Sequence, residues 1–353
     1  MKKNLILLFT VIFILTFFSE IFVRLFFPQD LQRYWVFYEP INGLPINKKN
    51  YIHKLHRFKS HKATYTFGKY HNRETIRNFK NLNKKKILIL GDSFTFGWLI
   101  DDQSTLVHKF QKENIDYNFI NVAVGAWGSA HYTLFIELFC DKIKPEKIIV
   151  FLNTDDFHRG YRSGFYKNEN NKLVKTKKEF KNIQGDSEFD KKIPFYKLLK
   201  SNSHLFMLIR NTVYNLIYKP GFNPWSEDRY WPRPNGKFNL EYSEKVMDFN
   251  QKIFLELKKN SNLCNATLDI LNISWAHYQS MEDTNPNKLF LKSADKFFDD
   301  NNINYYENNQ KMTDLYNDPM KYIIDLDFHP NKKGVDLIYS NLKTQVQEIL
   351  SEQ

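Results

Sequence analysis

Ser93 stands where a short apolar run, Ile87–Leu90, meets the small polar turn Gly91-Asp92-Ser93. The run predicts a buried strand, and the turn after it would leave the serine at the carboxyl end of that strand. A serine at such a point can be a nucleophile, if a neighbouring base accepts its proton. It can also be only a small residue that suits the turn or caps a helix. The serine alone leaves both interpretations open.

Three later segments carry groups that could assist a serine nucleophile. Each follows a strand-like run or precedes the last predicted helix, so we expect all of them at one edge of a sheet. In chain order, the candidate residues are Gly125 and Ala126, then Asn153 and Asp155, and finally Asp327 and His329. A serine, a loop of small residues, an amide or carboxylate, and an Asp near a His together predict nucleophilic acyl transfer.

Each group has a defined task in that chemistry. The imidazole of His329, with an ordinary pKa of about 6.5, can accept the serine proton near neutral pH. Asp327, two residues earlier, can hold the imidazole in the required tautomer, and Asp325, four residues earlier, is the alternative. Backbone N–H donors aimed at the developing oxyanion contribute about 2.7–4 kcal/mol each.

The elements that position these groups follow from Lys84 onward, where strand-like runs alternate with helix-like patterns. This alternation predicts an α/β fold with a parallel sheet and right-handed crossovers. The segment 144–153 contains a continuous apolar run, which is typical of a strand buried on both faces. The predicted strands are 87–90, 117–124, 144–153, 266–274 and 303–308, and the predicted helices include 130–142, 241–259, 287–299 and 331–352.

Two regions lie outside this alternation. Residues 29–83 form a basic, aromatic preamble with little periodicity, for which we expect irregular structure. Residues 158–240 form an insertion in a domain that we expect to span 84–353. The insertion contains a long helical pattern over 194–219, followed by a segment rich in Trp and Pro. It can be a cap over the site or a purely structural elaboration.

The N-terminus predicts a membrane anchor. Lys2 and Lys3 precede an uncharged apolar run over 5–18, which reaches the length of a membrane span if 21–23 is included. No small-x-small cleavage motif follows, so an uncleaved signal anchor over 1–28 is favoured over a removed signal peptide. Apolarity all round the helix argues against a buried core helix. We expect the large domain on the extracytoplasmic side of the membrane.

Composition and charge argue against some classes of function. The 353 residues carry a formal net charge of +12, but the lysines are scattered, which argues against nucleic-acid binding. We expect instead that the positive charge attracts the protein to anionic lipid or to an acidic glycan. The two cysteines, Cys140 and Cys264, could pair, but the sequence provides no distance between them.

These motifs resemble those of the SGNH or GDSL hydrolases. The matching blocks are GDSFTFGW at 91–98, NVAVGAWGS at 121–129, NTDD at 153–156 and DFHPN at 327–331. They are most similar to a membrane-anchored bacterial branch of that family. The resemblance implies a three-layer α/β/α, flavodoxin-like fold with a parallel sheet, joined in this chain to an N-terminal transmembrane helix and a helical insertion.

The resemblance also implies roles for single residues. Ser93 would be the nucleophile, His329 the base and Asp327 its partner, at a spacing found in acetyltransferase-like branches of the family. The Ser93 N–H would be one oxyanion donor. Asp92 belongs to the same block and counts with the candidate oxyanion and substrate-binding residues.

Two positions depart from the family pattern. Ungapped counting puts Ala126 where the family has its oxyanion glycine, with Gly125 one position earlier. It puts Asp155 where the family has an amide donor. An ionised carboxylate would repel an oxyanion, so either Asn153 takes that role, or Asp155 is protonated, or the oxyanion site is weaker than usual.

Three functions fit these observations. The leading hypothesis is a membrane-anchored serine esterase that removes ester-linked acyl groups from a carbohydrate or lipid of the cell envelope. The first alternative is an O-acyltransferase that acts on an envelope polysaccharide with the same residues. The second is a catalytically idle envelope binding protein with the same fold. We expect no cofactor, no metal ion and no nucleic acid as a partner.

Overall fold

The computed structural model of the chain describes residues 2–29, 31, 35–58, 61–74, 84–176, 194–217, 240–273, 283–308, 318–324 and 329–351. The chain divides into two compact units. One is drawn from Met1–Tyr34, Lys54–Lys62 and Lys181–Pro232, and the larger one from Trp35–His53, Ala63–Phe180 and Arg233–Gln353.

The strands and the helices are each numbered in chain order. The strands are β1 (Val36–Tyr38), β2 (Pro45–Asn47), β3 (Tyr51–Phe58), β4 (His61–Phe67), β5 (Lys85–Gly91), β6 (Tyr117–Asn121), β7 (Lys147–Leu152), β8 (Tyr166–Glu169), β9 (Lys172–Lys175), β10 (Thr267–Asn272) and β11 (Asn304–Tyr306). The helices are α1 (Lys2–Phe26), α2 (Ser93–Phe96), α3 (Leu106–Glu113), α4 (Ser129–Ile143), α5 (Asp156–Ser163), α6 (Tyr196–Asn202), α7 (His204–Ile217), α8 (Leu240–Leu263), α9 (Pro286–Asp300), α10 (Pro319–Tyr322) and α11 (Lys332–Ser351).

A five-stranded sheet with the order β11-β10-β7-β5-β6 forms the centre of the larger unit. Every neighbouring pair of strands in it is parallel. The first of these strands in the chain, β5, lies between the second and the third, which is the order found in flavodoxin. The predicted parallel α/β fold is therefore confirmed. The strand order reverses between β5 and β7, where such sheets bind their ligands.

Helices cover both faces of this sheet. Leu88 and Leu90 of β5 face a core that α4, α8 and α9 complete, whereas Ile87 and Ile89 face a core that α3 and α11 complete. This alternation follows from the two-residue period of a strand. Every residue of β7 is buried, as the apolar run predicts for a strand in the middle of a covered sheet. The three-layer α/β/α architecture is thus confirmed.

The preamble is more regular than its sequence indicates. β1 pairs with β2, and β3 pairs with β4. Trp35, Tyr65 and Phe67 of this region pack with Phe96 in an aromatic cluster of the larger unit. The prediction of irregular structure over 29–83 is wrong for these strands. A three-residue strand is too short to show a period, and its partner becomes evident only through packing.

The insertion contains a hairpin and a pair of helices. β8 and β9 pair antiparallel. The long helical pattern predicted over 194–219 is divided into α6 and α7 at Ser203, whose hydroxyl accepts the N–H of Phe206 at 3.0 Å. Serine favours such a cap because its oxygen satisfies an N–H group that lacks a partner in the helix. The segment rich in Trp and Pro lies outside the described residues.

The N-terminal helix α1 is long and apolar enough to cross a membrane over Lys3–Phe26. At 1.5 Å per residue, its length suits a hydrocarbon layer of about 30 Å. Most of its large apolar side chains are exposed. These properties agree with the predicted membrane anchor, and the side of the membrane on which the larger unit lies stays a prediction.

Cys140 and Cys264 form a disulfide, the pairing that the sequence left open. Cys140 lies near the end of α4, and Cys264 directly follows α8. Their Cα atoms are 6.1 Å apart, which is within the usual range for a disulfide. Because α4 and α8 pack against each other on one face of the sheet, the bond joins two adjacent helices whose cysteines are 124 positions apart.

Reduction of this disulfide should lower the free energy of unfolding. A cross-link that closes a long loop restricts the unfolded chain and typically contributes about 2–4 kcal/mol. We expect the urea midpoint of the full chain in detergent to fall when dithiothreitol is added. The double variant Cys140→Ser/Cys264→Ser is the matched control, since its midpoint should not respond to the reductant. An unchanged midpoint in the wild-type chain would contradict the pairing.

Candidate active site

Ser93 is the first residue of α2, directly after β5. Asp92 caps this helix, because its Oδ1 accepts the N–H of Phe94 at 2.9 Å. Gly97 ends the helix with a φ of 80°, a left-handed conformation that a residue without a Cβ adopts with little strain. The first N–H groups of a helix have no acceptor within it, so the Ser93 N–H can serve a bound group. The turn therefore presents both the hydroxyl and the N–H of Ser93.

His329 lies beside the serine, with its Nε2 2.8 Å from Ser93 Oγ. This is hydrogen-bond distance between residues 236 positions apart in the chain. The backbone around the histidine is held by two hydrogen bonds, from Ile324 N to His329 O at 2.8 Å and from Asn331 N to Tyr322 O at 2.9 Å. The arrangement is that of a nucleophile and its general base.

Two aromatic rings flank the imidazole of His329. The ring centroids of Phe94 and Trp98 are 5.4 Å and 5.7 Å from that of the histidine. Both residues belong to the GDSFTFGW block, so the turn that carries Ser93 also packs against the imidazole of His329. Asp327 and Asp325 lie outside the described residues, and the identity of the acceptor on the other imidazole nitrogen stays a prediction.

Gly125 lies close to the nucleophile. A Cβ added to Gly125 would come 3.8 Å from Ser93 Cβ. The next residue, Ala126, has a φ of 67°, a left-handed conformation that costs a residue with a Cβ about 1–2 kcal/mol. Within the described part of the chain, no hydrogen bond involves the N–H of Gly125 or of Ala126. Both groups are therefore suited to donate to an oxyanion.

Asn153 contacts Asp92, the residue before the nucleophile. Its Nδ2 donates to Asp92 Oδ2 at 3.1 Å, and its Oδ1 accepts the N–H of Thr154 at 2.8 Å. Asp92 is fully buried, so this amide satisfies part of a carboxylate that has no access to water. Asn153 thus stabilises the turn that presents Ser93.

Arg159 is a site residue that the sequence analysis missed. Its guanidinium donates from Nη1 to Asp92 Oδ2 at 2.9 Å and from Nη2 to Asp155 Oδ2 at 3.1 Å. Burial opposes the charge of Arg159, but the carboxylates of Asp155, Asp92 and Asp156 outweigh it and raise the pKa of the guanidinium. The four-residue spacing of Asp155 and Arg159 was the signal that could have indicated this pair. Asp155, which stands where the resemblance predicts an amide donor, is thus a carboxylate paired with Arg159.

Asp156 is buried next to the same guanidinium. Its Oδ2 accepts the N–H of Asn153 and the hydroxyl of Tyr132, each at 2.7 Å. Burial raises the pKa of Asp156 well above its ordinary value of 3.8, and the nearby charge of Asp92 adds to this effect. Burial and the charge of Asp156 raise the pKa of the Tyr132 hydroxyl as well. Asp156 is therefore a carboxyl group whose ionisation the surrounding structure opposes.

Arg73 supports the nucleophile turn from the preamble. It donates to the carbonyls of Phe96 and Gly97 at 2.7 Å and 2.6 Å, and to the carboxylate of Asp102 at 2.9 Å. The carbonyls at the end of a helix lack partners within it, so the buried guanidinium satisfies groups that would otherwise need water. No motif in the sequence indicated this role.

The described ranges contain no group of three or more His, Cys, Asp and Glu side chains that could hold a metal ion. His158, which follows the acidic residues of the third block, places its Nε2 2.7 Å from the hydroxyl of Tyr242 on α8. Burial lowers the pKa of His158 to about 3. His158 therefore belongs to the packing of α5 against α8.

No protein-family model matches the chain, and no curated protein matches it. Among solved structures, the chain is similar to the psychrotrophic esterase EstA from Pseudoalteromonas sp., with 15% sequence identity, a TM-score of 0.44, and coverage of 76% of this chain and 100% of that one. It is also similar to a member of the lipolytic protein G-D-S-L family from Veillonella parvula, with 11% identity, a TM-score of 0.40, and coverage of 74% and 97%. A third similar structure is the acetyl xylan esterase AlAXEase, with 13% identity, a TM-score of 0.40, and coverage of 74% and 99%.

The raised pKa of Asp156 predicts a pH dependence of stability. A carboxyl group with a higher pKa in the folded chain stabilises the fold fully below its unfolded pKa, and this contribution is lost as the pH rises through the folded value. When the pH is raised from about 5 to about 8, we therefore expect the free energy of unfolding to fall less in Asp156→Asn than in the wild-type chain. Urea titrations at the two pH values measure the difference.

The control for this experiment is Asp336→Asn, which removes an exposed carboxylate paired with Lys109 on the surface. Its decline in stability over the same pH range should match that of the wild-type chain. Equal declines in Asp156→Asn and the wild type would show that Asp156 does not carry the raised pKa.

Proposed function

We propose that the chain is a serine-dependent hydrolase of ester-linked acyl groups, with Ser93 as the nucleophile and His329 as the base. The distance of 2.8 Å between Ser93 Oγ and His329 Nε2 carries this proposal. A serine that only suited a turn would need no imidazole beside it. The capping role at the start of α2 belongs to Asp92, which leaves the Ser93 hydroxyl to the histidine.

In the first half of the reaction, Ser93 Oγ attacks the ester carbonyl carbon while His329 Nε2 takes the hydroxyl proton. The carbonyl π bond opens, and its electron pair becomes an oxyanion. When the oxyanion collapses, the bond to the leaving alcohol breaks, and His329 returns the proton to that alcohol. The acyl group is then bound to Ser93 as an ester.

In the second half, a water molecule replaces the alcohol. His329 takes a proton from the water, and the hydroxide attacks the acyl carbon of the acyl-enzyme. Collapse of this second intermediate breaks the bond to Ser93 Oγ, which regains its proton from His329. The products are a carboxylic acid and the free enzyme, so no redox partner is needed. We expect Asp327 to hold the imidazole in the tautomer that these transfers require.

Backbone donors close to Ser93 would stabilise the oxyanion. The Ser93 N–H is at the start of α2, and the loop with Gly125 and Ala126 lies next to the serine. Such donors act where charge develops in the transition state and contribute about 2.7–4 kcal/mol each. The charge of Asp155 is offset by Arg159 at 3.1 Å, so this carboxylate is compatible with an oxyanion nearby.

We place the activity on the extracytoplasmic side of a membrane, on an acylated carbohydrate or lipid of the cell envelope. The helix α1 supports an attachment to the membrane. The disulfide supports an oxidising compartment, because such bonds persist outside the reducing cytosol. The net charge of +12 favours a substrate that carries negative charge or lies in anionic lipid.

A fluorophosphonate probe should label the folded full chain, because it forms a covalent bond with an activated serine oxygen. We expect Ser93→Ala to abolish the labelling, and His329→Gln to reduce it strongly because the base is lost. Ser340→Ala, which removes an exposed serine on α11, is the matched control and should label like the wild type. Absence of labelling in folded wild-type protein would reject both the hydrolase and the transferase.

Acceptor dependence decides between hydrolysis and acyl transfer. We expect the purified full chain to release carboxylate from acetyl esters in water alone, at a rate that Ser93→Ala lowers by about 10⁴–10⁶-fold. Release that requires an added glycan acceptor would replace the hydrolase with the O-acyltransferase. A folded chain that neither reacts with the probe nor turns over an ester would favour the idle binding protein.

A further inference from the structure

Glu20 is the one acidic residue within the apolar helix α1. Its carboxylate accepts hydrogen bonds from Ser203 Oγ at 2.8 Å, from the N–H of His204 at 3.0 Å and from the N–H of Leu205 at 2.9 Å. These N–H groups open α7, where they lack intrahelical partners and where the helix dipole is positive. A carboxylate on a membrane-spanning helix is costly unless it is paired. Arg24 on the same helix provides the ion pair, with its Nη2 3.0 Å from Glu20 Oε1, and the start of α7 provides the remaining donors.

Two further hydrogen bonds join the same elements. Arg24 Nη2 donates to the carbonyl of Asn202 at 2.8 Å, and the N–H of Gln29 donates to His204 Nδ1 at 2.8 Å. With the bonds of Glu20, they fix the junction of α6 and α7 against the C-terminal end of α1. A helix that spans a membrane leaves the hydrocarbon at its end, so this junction lies at the level of the membrane interface.

The helices α6 and α7 expose large apolar side chains although they pack against α1. Phe195, at the start of α6, is 78% exposed, and Leu198 is 61% exposed. On α7, Ile209 and Val213 are 54% and 46% exposed and share one helical face, since they are four residues apart. The exposed apolar side chains therefore extend over both helices.

The charge of this helix pair is of one sign. Residues 194–217 contain no Asp or Glu, whereas Lys197, Lys200 and Arg210 are basic. A segment that exposes apolar side chains and carries no acidic residue is suited to the interface of a bilayer, where anionic headgroups would repel a carboxylate.

We propose that α6 and α7 form a second membrane contact, in which the exposed side chains of Phe195, Leu198, Ile209 and Val213 enter the outer part of an anionic lipid leaflet beside α1. We take lipid as the occupant of this apolar surface, because the surface is held directly against a helix that is long and apolar enough to cross a bilayer. Residues 194–217 carry no carboxylate that anionic headgroups would repel. This proposal does not depend on the hydrolase activity.

Spin labels on single cysteines test the proposal in the full chain. The only native cysteines form a disulfide, so Leu198→Cys, Ile209→Cys and Ile115→Cys each provide a single free thiol. Ile115 is the matched control, because it is an isoleucine that is 54% exposed, as Ile209 is, and it belongs to the larger unit. Each labelled protein is reconstituted into vesicles of phosphatidylcholine and phosphatidylglycerol, and circular dichroism checks that it is folded.

Oxygen dissolves in the hydrocarbon, whereas a nickel chelate stays in water, so their relaxation effects report the environment of each label. We expect the ratio of oxygen to nickel accessibility to be severalfold higher at Leu198 and Ile209 than at Ile115. Equal ratios at all three positions would overturn the proposal. Immobilised labels with spin–spin broadening in α6 and α7 would overturn it as well, because a second copy of the chain would then cover the surface.

Discussion

The buried carboxylate of Asp92 is the constraint on which the site depends. It lies directly before the nucleophile and has no access to water, so its charge must be satisfied by neighbouring groups. The N–H of Phe94, the amide of Asn153 and the guanidinium of Arg159 provide the hydrogen bonds. These groups come from α2, from the end of β7 and from α5. Loss of any of these partners would leave the buried charge of Asp92 less compensated, which explains how one carboxylate can hold three elements in place around Ser93.

Arg159 also determines the electrostatics around that carboxylate. It is within 4 Å of Asp92, Asp155 and Asp156, so one cation faces three carboxyl groups. Burial, together with the nearby charge of Asp92, raises the pKa of Asp156 above its ordinary value. In its ion pair with Arg159, Asp155 has a physical role that differs from that of the amide donor expected at position 155. Arg159 thus supports the nucleophile turn and neutralises charge next to it at the same time.

The elements of this fold that could be predicted from the sequence are the long and buried ones. The central strands were predicted because a strand buried on both faces needs a continuous apolar run, as in β5 and β7. The proximity of Ser93 and His329 was predicted because Ser93 follows a strand and His329 precedes the last helix, and both were expected at the same edge of the sheet. The strands of the preamble were not predicted, since three-residue strands are too short to show a period. The role of Arg73 was not predicted either, because the sequence does not indicate which backbone carbonyls a side chain will contact. The role of Asp327 as the partner of the His329 imidazole remains a prediction.

The sequence by itself determined which chemical groups the protein carries and which elements bring them to one edge of a sheet. Apolar periodicity depends on local residue order, so the strand that ends shortly before Ser93 and the helix that follows His329 could be inferred directly. Only the tertiary structure decided that Arg159 pairs with Asp92 and that Cys140 pairs with Cys264. Hydrogen bonds and disulfides form over a few ångströms between residues far apart in the chain, and that proximity arises from the packing of helices on both faces of the sheet.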